Sequence, residues 1–199
     1  MMYTKMVMLE NFTLYLEGIK MKRKVVVYIA MSLDGYIADN NGGIAWLGGQ
    51  KDNFQGDYGY GEFIESVDTV IMGMNTYNQI VTELSPNQWP YPNIKSYVFT
   101  HQAMENNENV EFISSDISKF IIKLKYEEGK NIWICGGANI INQLIDTNLI
   151  DEYHLTIMPV ILGNGIKLFS DDNPTTLLKV EQVKEINGVV DIVYTHRTE

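Results

Sequence analysis

Residues 132–145 read IWICGGANIINQLI, and this stretch decides the fold. A short apolar run ends in two glycines, and an apolar pattern typical of an amphipathic helix begins directly after them. A buried strand followed at once by a helix is the repeating unit of α/β proteins. Gly136 and Gly137 either make a tight turn or let a ligand approach the backbone closely, because glycine has no Cβ.

Other segments repeat this construction and predict a parallel sheet. Buried-strand patterns occur at KVVVYIAM (24–31), DTVIM (68–72) and KSYVF (95–99). An apolar stripe predicts a helix near residues 117–124, capped by Ser114, Ser115 or Asp116. The alternation predicts a three-layer α/β/α fold with helices on both faces of a mixed, mostly parallel sheet.

The C-terminal third has a different pattern. Residues 151–160 alternate between apolar and polar side chains, as a strand with one buried face does. The segments 179–186 and 189–196 flank Asn187-Gly188, which is a strong signal for a β-hairpin. We therefore expect antiparallel strands at one edge of the sheet.

Length and composition bound the classes of function. The 199 residues fit a single domain, which we expect at residues 21–199. The net charge of -10 disfavours nucleic acid as a partner. A lone cysteine, Cys135, indicates a reduced, cytoplasmic setting, and no apolar run is long enough to cross a membrane. Charges within residues 1–20 interrupt any signal-peptide core, so we treat that segment as an N-terminal extension outside the fold.

Two junctions are candidates for binding phosphate. Residues Gly73, Met74, Asn75 and Thr76 follow one predicted strand, and Gly136, Gly137, Ala138, Asn139 and Ile140 follow another. A helix that begins there presents unpaired N–H groups and the positive end of its dipole. Two such junctions could hold the two phosphates of a dinucleotide, or the glycines could serve only the turns. The three histidines are far apart in sequence, so we expect no metal site.

The order of these motifs resembles a known family. SLDGYIA, GGIAWL, VDTVIMGMNTY, IWICGGANIINQLI and LIDEYHLTIMPVILGNGIKLF follow one another within about residues 24–195. The sequence is similar to the dihydrofolate-reductase-like superfamily. Within it, the chain resembles the C-terminal reductase domain of the bifunctional riboflavin-biosynthesis deaminase/reductase.

The resemblance implies an eight-stranded sheet, a homodimer and NADPH as hydride donor. It places Ala30 and Ile37 at the nicotinamide ring, Gly43 to Trp46 in a loop beside the active site, and the two glycine junctions at the phosphates. Thr100 and His101 match a segment that usually holds the 2′-phosphate of the adenosine. The chain departs from the family pattern at Met74, where arginine is usual, and at Thr100-His101. NADH is therefore an alternative cofactor.

Reduction of a C=N or C=O bond also needs a proton. By analogy with folate reductases, Asp57 is the candidate for the catalytic carboxylate, with Glu62 as a second candidate. Tyr58 and Tyr60 could line the same cleft or pack on the core. Asp34 is either a turn residue or a substrate contact, and Trp46 could pack against a ring in the pocket.

Two functions remain open from the sequence. The first is an oxidoreductase that transfers hydride to a small pteridine- or pyrimidine-like heterocycle, as dihydrofolate reductase or 5-amino-6-(5-phosphoribosylamino)uracil reductase would. The segment 25–50 contains no lysine or arginine, which argues against a phosphorylated substrate. The second is a dinucleotide-binding protein of the same fold without turnover, favoured by the missing arginine.

Overall fold

The computed structural model describes residues 23–51 and 53–197. The expected extension at residues 1–20 lies outside the described part of the chain. The strands are β1 (Val25–Ser32), β2 (Tyr36–Ala38), β3 (Val67–Gly73), β4 (Lys95–Phe99), β5 (Val110–Ile113), β6 (Asn131–Gly136), β7 (Glu152–Met158), β8 (Ile166–Lys167), β9 (Leu178–Ile186) and β10 (Val189–His196). The helices are α1 (Tyr60–Glu65), α2 (Met74–Gln79), which continues as a π-helical turn (Ile80–Leu84), α3 (Ile117–Tyr126) and α4 (Ala138–Asp146).

Eight strands form one mixed sheet in the order β5-β4-β3-β6-β1-β7-β10-β9. Neighbours from β5 through β7 pair in parallel, while β10 pairs antiparallel with both β7 and β9. The predicted mixed sheet with a C-terminal antiparallel hairpin is confirmed. At the hairpin turn, Asn187 and Gly188 both have positive φ, which is the conformation that an Asn-Gly turn favours.

Helices cover both faces because β1 is apolar on both. Val25 and Val27 pack with α3 and α4, where Ile121 and Leu144 are fully buried. Val26 points to the opposite face and packs with Phe63 of α1. Fully burying a side chain of this size contributes about 1.5–3 kcal/mol, so these alternating contacts hold the three layers together.

Of the three candidate caps for α3, Asp116 has this role. Its side chain accepts a hydrogen bond of 2.9 Å from the Lys119 N–H. None of the helices within residues 23–51 and 53–197 combines the length and hydropathy needed to cross a membrane. The cleft described next lies at the carboxyl ends of the parallel strands, which is where open α/β sheets bind ligands.

Candidate active site

The two glycine junctions lie side by side. Strands β3 and β6 are neighbours, and Met72 is paired with Gly136. A Cβ built on Gly73 would lie 4.0 Å from the Gly137 nitrogen, and one on Gly137 would lie 3.5 Å from the Thr76 hydroxyl. Helices α2 and α4 therefore begin next to each other, and the peptide bond between Gly136 and Gly137 is cis.

A cleft of about 1540 Å³ runs along the carboxyl ends of β1, β6, β3, β4 and β5. Most of the expected cofactor contacts line it. They are Ala30, Ile37, Gly73, Met74, Asn75, Thr76, Thr100, His101, Gly137, Ala138, Asn139 and Ile140. The structure thus brings together residues that are far apart in sequence, with both glycine junctions near the middle of the cleft.

Six of the other expected residues do not line this cleft. Gly136 is buried, and Gly43 lies between two residues that do line the cleft, Gly42 and Ile44. The Trp46 indole donates a hydrogen bond of 3.2 Å to the Gly43 carbonyl, so it packs on its own loop. Tyr58 lines a separate depression of about 270 Å³ beside the β9–β10 hairpin.

The hairpin tip holds the loop that contains Tyr58. Asn187 accepts hydrogen bonds from the Gln50 N–H through its carbonyl, at 2.8 Å, and from the Lys51 N–H through its side chain, at 3.0 Å. Its amide nitrogen also donates to the Tyr58 hydroxyl at 2.9 Å. Tyr58 therefore fixes the loop between β2 and α1, and its ring contacts Phe54 rather than the cleft.

Asp34 is built into a turn. Its carboxylate accepts hydrogen bonds from the Ser32 hydroxyl at 2.6 Å and from the Leu162 and Gly163 N–H groups. The Ser32 hydrogen bond is the main reason that the pKa of Asp34 is lowered. This arrangement connects the end of β1 to residues 162–163. In the structure, Asp34 is therefore a turn residue, which is one of the two alternatives from the sequence.

Asp57 holds the first turn of α1. Its carboxylate accepts hydrogen bonds from the Gly61 N–H at 2.8 Å and the Gly59 N–H at 3.0 Å, and these bonds lower its pKa. It does not line the cleft, so the structure places the expected catalytic carboxylate in a capping position. Glu62, the second candidate, is exposed and lies 3.7 Å from Lys184 in an ion pair.

An aromatic wall at the β1 end of the cleft was not expected from the sequence. Tyr28, Tyr91 and Trp133 line the cleft there together with Cys135. The Tyr28 ring stacks on Phe63, with 4.1 Å between centroids. One signal was available, because Tyr28 precedes Ala30 by two positions and strand alternation puts both on one face. Burial raises the pKa of the Cys135 thiol to about 12, so it stays protonated.

Behind this wall lies a short polar chain of side chains. Strand register places Ala30, Thr156 and Asp191 in one row across β1, β7 and β10. The buried Thr156 hydroxyl donates to the Asp191 carboxylate at 3.0 Å, and both side chains lie close enough to Tyr28 to influence the pKa of its hydroxyl. Burial, aided by the charge of Asp191, raises the pKa of Tyr28 to about 12. The Tyr28 hydroxyl is therefore protonated at neutral pH.

The fold and the cleft define an α/β protein of the dihydrofolate-reductase-like class, with an eight-stranded mixed sheet and a ligand cleft at its strand ends. The sequence profile of the RibD C-terminal domain matches residues 23–193, and the chain belongs to that family.

Curated relatives and solved structures agree with this assignment. Uncharacterized proteins YwjB and YyaP of Bacillus subtilis (strain 168) are 42% and 32% identical over 87% of this chain, covering 98% and 95% of their own lengths. A protein of Shewanella sp. PV-4 assigned to riboflavin biosynthesis has 27% identity and a TM-score of 0.77, covering 88% of this chain and 99% of its own. A pyrimidine reductase-like protein of Corynebacterium diphtheriae shares the fold, with a TM-score of 0.60, 18% identity and coverage of 90% and 94%.

Proposed function

We propose that the protein is a reductase that transfers hydride from a reduced nicotinamide dinucleotide to a small pteridine- or pyrimidine-like heterocycle. The observation that carries this proposal is the meeting of the two glycine junctions inside one cleft, next to an aromatic wall. NADPH is the donor that the family resemblance implies, and NADH is the alternative. Membership of the RibD C-terminal domain family supports a reductase of this kind.

The backbone of the junctions suits a pyrophosphate. No side chain at Gly73 or Gly137 separates a ligand from the backbone, and the first N–H groups of the nine-residue helix α4 have no partner within the helix. The positive end of the α4 dipole adds a favourable field for an anion. The Thr76 hydroxyl, close to Gly137, is a further donor at the same point.

The aromatic wall suits a flat ring. Tyr28 and Tyr91 are partly exposed at the cleft and can contact a planar heterocycle, and the buried Trp133 packs behind them. Of the described side chains along the cleft, none belongs to lysine or arginine, so a phosphate on the substrate would find no cation. We therefore propose a substrate without a phosphate group.

We propose that Tyr28 donates the proton that the substrate takes up when it is reduced by hydride. A bound dinucleotide supplies the hydride when it is present. Tyr28 lines the cleft, so its hydroxyl can meet a ring nitrogen or oxygen of the substrate and donate a proton as negative charge develops there. We assign Thr156 and Asp191 as positioning residues, because neither lines the cleft and both influence the Tyr28 hydroxyl.

The first test is binding followed by turnover. The purified protein is titrated with each reduced dinucleotide while Trp133 fluorescence is followed, and cofactor oxidation is then measured with panels of pterins and unphosphorylated pyrimidines. Binding with oxidation supports the reductase. Binding without oxidation of any substrate supports the non-catalytic alternative, and failure to bind either dinucleotide removes both.

Tyr28→Phe tests the proton assignment. We expect kcat to fall by about 10²-fold or more, because an aligned proton donor contributes that much. Dinucleotide affinity should stay the same. Tyr153→Phe is the matched control, since burial also raises the pKa of Tyr153 to about 12 but this tyrosine packs on the opposite face of the sheet. A loss in both variants, or in neither, contradicts the role of Tyr28.

A further inference from the structure

The charge along the cleft is unusual for a site that would bind NADPH. The described lining contains no lysine and no arginine. Its charged side chains are the carboxylates of Glu83 and Asp116, and His101 is its one histidine. A 2′-phosphate carries up to two negative charges and needs cationic donors to replace its water. Along this lining it meets carboxylates instead.

Several of the described cations are held at the other end of the sheet. Four ion pairs lie at or beside the amino ends of the parallel strands, namely Arg23–Asp68, Lys24–Glu152, Lys95–Glu111 and Lys125–Asp151. A strand advances about 3.3 Å per residue, so Arg23 and Lys24 lie roughly 20 Å or more along β1 from Ala30 in the cleft. These side chains cannot reach a phosphate bound at the carboxyl ends.

The β4–β5 end of the cleft is built for hydroxyl groups rather than for phosphate. Thr100, Ser114, Ser115 and Asp116 line it, and all are wholly or partly exposed. One Asp116 oxygen accepts from the Lys119 N–H, which fixes the carboxylate at the rim. A fixed carboxylate accepts hydrogen bonds from ribose hydroxyls and repels a phosphate. The other end of the cleft is the aromatic wall, which suits the nicotinamide side.

We propose that this cleft selects NADH over NADPH, with Asp116 as the residue that discriminates against the 2′-phosphate. This inference rests on the proposed function. Neither end of the described lining offers a lysine or arginine, and the role of Asp116 requires the adenosine to lie at the β4–β5 end. A missing cation–phosphate contact corresponds to about tenfold or more in affinity.

The test is a pair of equilibrium titrations on the full chain. NADH and NADPH are titrated separately at pH 8, where histidine side chains are ordinarily neutral, and energy transfer from tryptophan to the bound nicotinamide is recorded. The expected result is a Kd for NADH at least about tenfold lower than that for NADPH. Equal affinities, or tighter NADPH binding, overturn the inference and leave the proposed reductase intact. Failure to bind either dinucleotide defeats the proposed function itself.

Substitutions near Asp116 test which residue makes the cleft prefer NADH to NADPH. Asp116→Asn should improve NADPH binding with little change for NADH, and Ser115→Arg should improve it further, by about tenfold. Thr175→Arg adds the same charge on an exposed loop outside the cleft and should leave the ratio of the two affinities unchanged. Lys119→Gln removes the cation nearest in sequence to Asp116. A selective loss of NADPH binding in Lys119→Gln would overturn the inference, because Lys119 would then hold the 2′-phosphate.

Discussion

Glu152, at the amino end of β7, contacts two basic side chains, one from β7 itself and one from the residue directly before β1. It lies 2.6 Å from the His154 imidazole and 2.8 Å from the Lys24 ammonium group. The His154 hydrogen bond, with Lys24 in addition, lowers the pKa of Glu152 from 4.5 to about 2. The ionised form of Glu152 is therefore favoured more strongly in the folded chain than in the unfolded chain.

This shift predicts an acid-sensitive contribution to stability. A carboxylate with a depressed pKa stabilises the fold above its unfolded pKa, and the contribution is lost as pH falls from about 5 toward 2. Glu152→Gln should lower the melting temperature at pH 7, and the difference from the parent chain should shrink by pH 3. Thermal unfolding followed by circular dichroism measures both. Glu105→Gln, in an exposed loop, is the control, and an unchanged difference at both pH values would contradict the prediction.

At this scale the sequence predicted some side chains well and others poorly. The glycine junctions could be found because they directly follow strands that the apolar pattern identifies. Asp57 was placed by counting back from β3, and counting along a loop cannot tell a capping carboxylate from one that faces a cleft. The row of Tyr28, Thr156 and Asp191 was missed because it depends on pairing between three strands, which is not local in sequence.

Among the elements, the small sheet of β2 and β8 depends on one close approach. Gly165 has a φ of +145°, and a Cβ there would overlap the Ala38 carbonyl oxygen. Gly163, in the same turn, also has positive φ but open space around it. Substitutions at these two glycines therefore distinguish the cost of a positive φ from the cost of steric overlap.

Alanine at each position should have unequal effects. Gly163→Ala should cost about 1 kcal/mol of the free energy of unfolding, because only the left-handed conformation is penalised. Gly165→Ala adds an overlap with backbone atoms and should cost about 2 kcal/mol or more. Urea unfolding of both variants gives the comparison. Equal losses would show that the β2–β8 contact does not constrain residue 165.

The long buried strands were predictable, whereas the short ones were not. β1, β3, β4 and β6 carry apolar runs that stand out from their surroundings, and all four are confirmed. β5 follows an asparagine-rich segment, and Asn106 and Asn107 accept hydrogen bonds at its start. Strands as short as β2 and β8 bury too little surface to leave a periodic pattern, and their pairing joins residues far apart in the chain.

In the molecule as a whole, β9 is one of the two edge strands of the large sheet, and β5 is the other. Val180 and Val183 are 53% and 58% exposed, and their partners across the hairpin, Tyr194 and Ile192, share one face of β10. An apolar stripe beside an unpaired edge favours association with another chain. We predict that β9 contributes to a homodimer, as the family resemblance implies.

Val183→Glu tests this prediction. We expect the variant to sediment as a monomer where the parent chain is a dimer, because burying an unpaired carboxylate in an interface is costly. Ile161→Glu is the control, since Ile161 is 70% exposed on a loop away from β9. Analytical ultracentrifugation of the three proteins at one concentration gives the answer. A parent chain that is already monomeric, or dimers in all three, would contradict the role of β9.

The contact between Asn187 and the loop after β2 also has a kinetic consequence. The Gln50 and Lys51 amides belong to an irregular segment, yet both donate to a residue in the tight turn of a long hairpin. Their protons should exchange with deuterium far more slowly than those of Gly48 or Asn53, which flank them. The residues on either side of Gln50 and Lys51 would then open to solvent independently of them. Replacing Asn187 with glycine should increase deuterium uptake at Gln50 and Lys51 to the level of their neighbours.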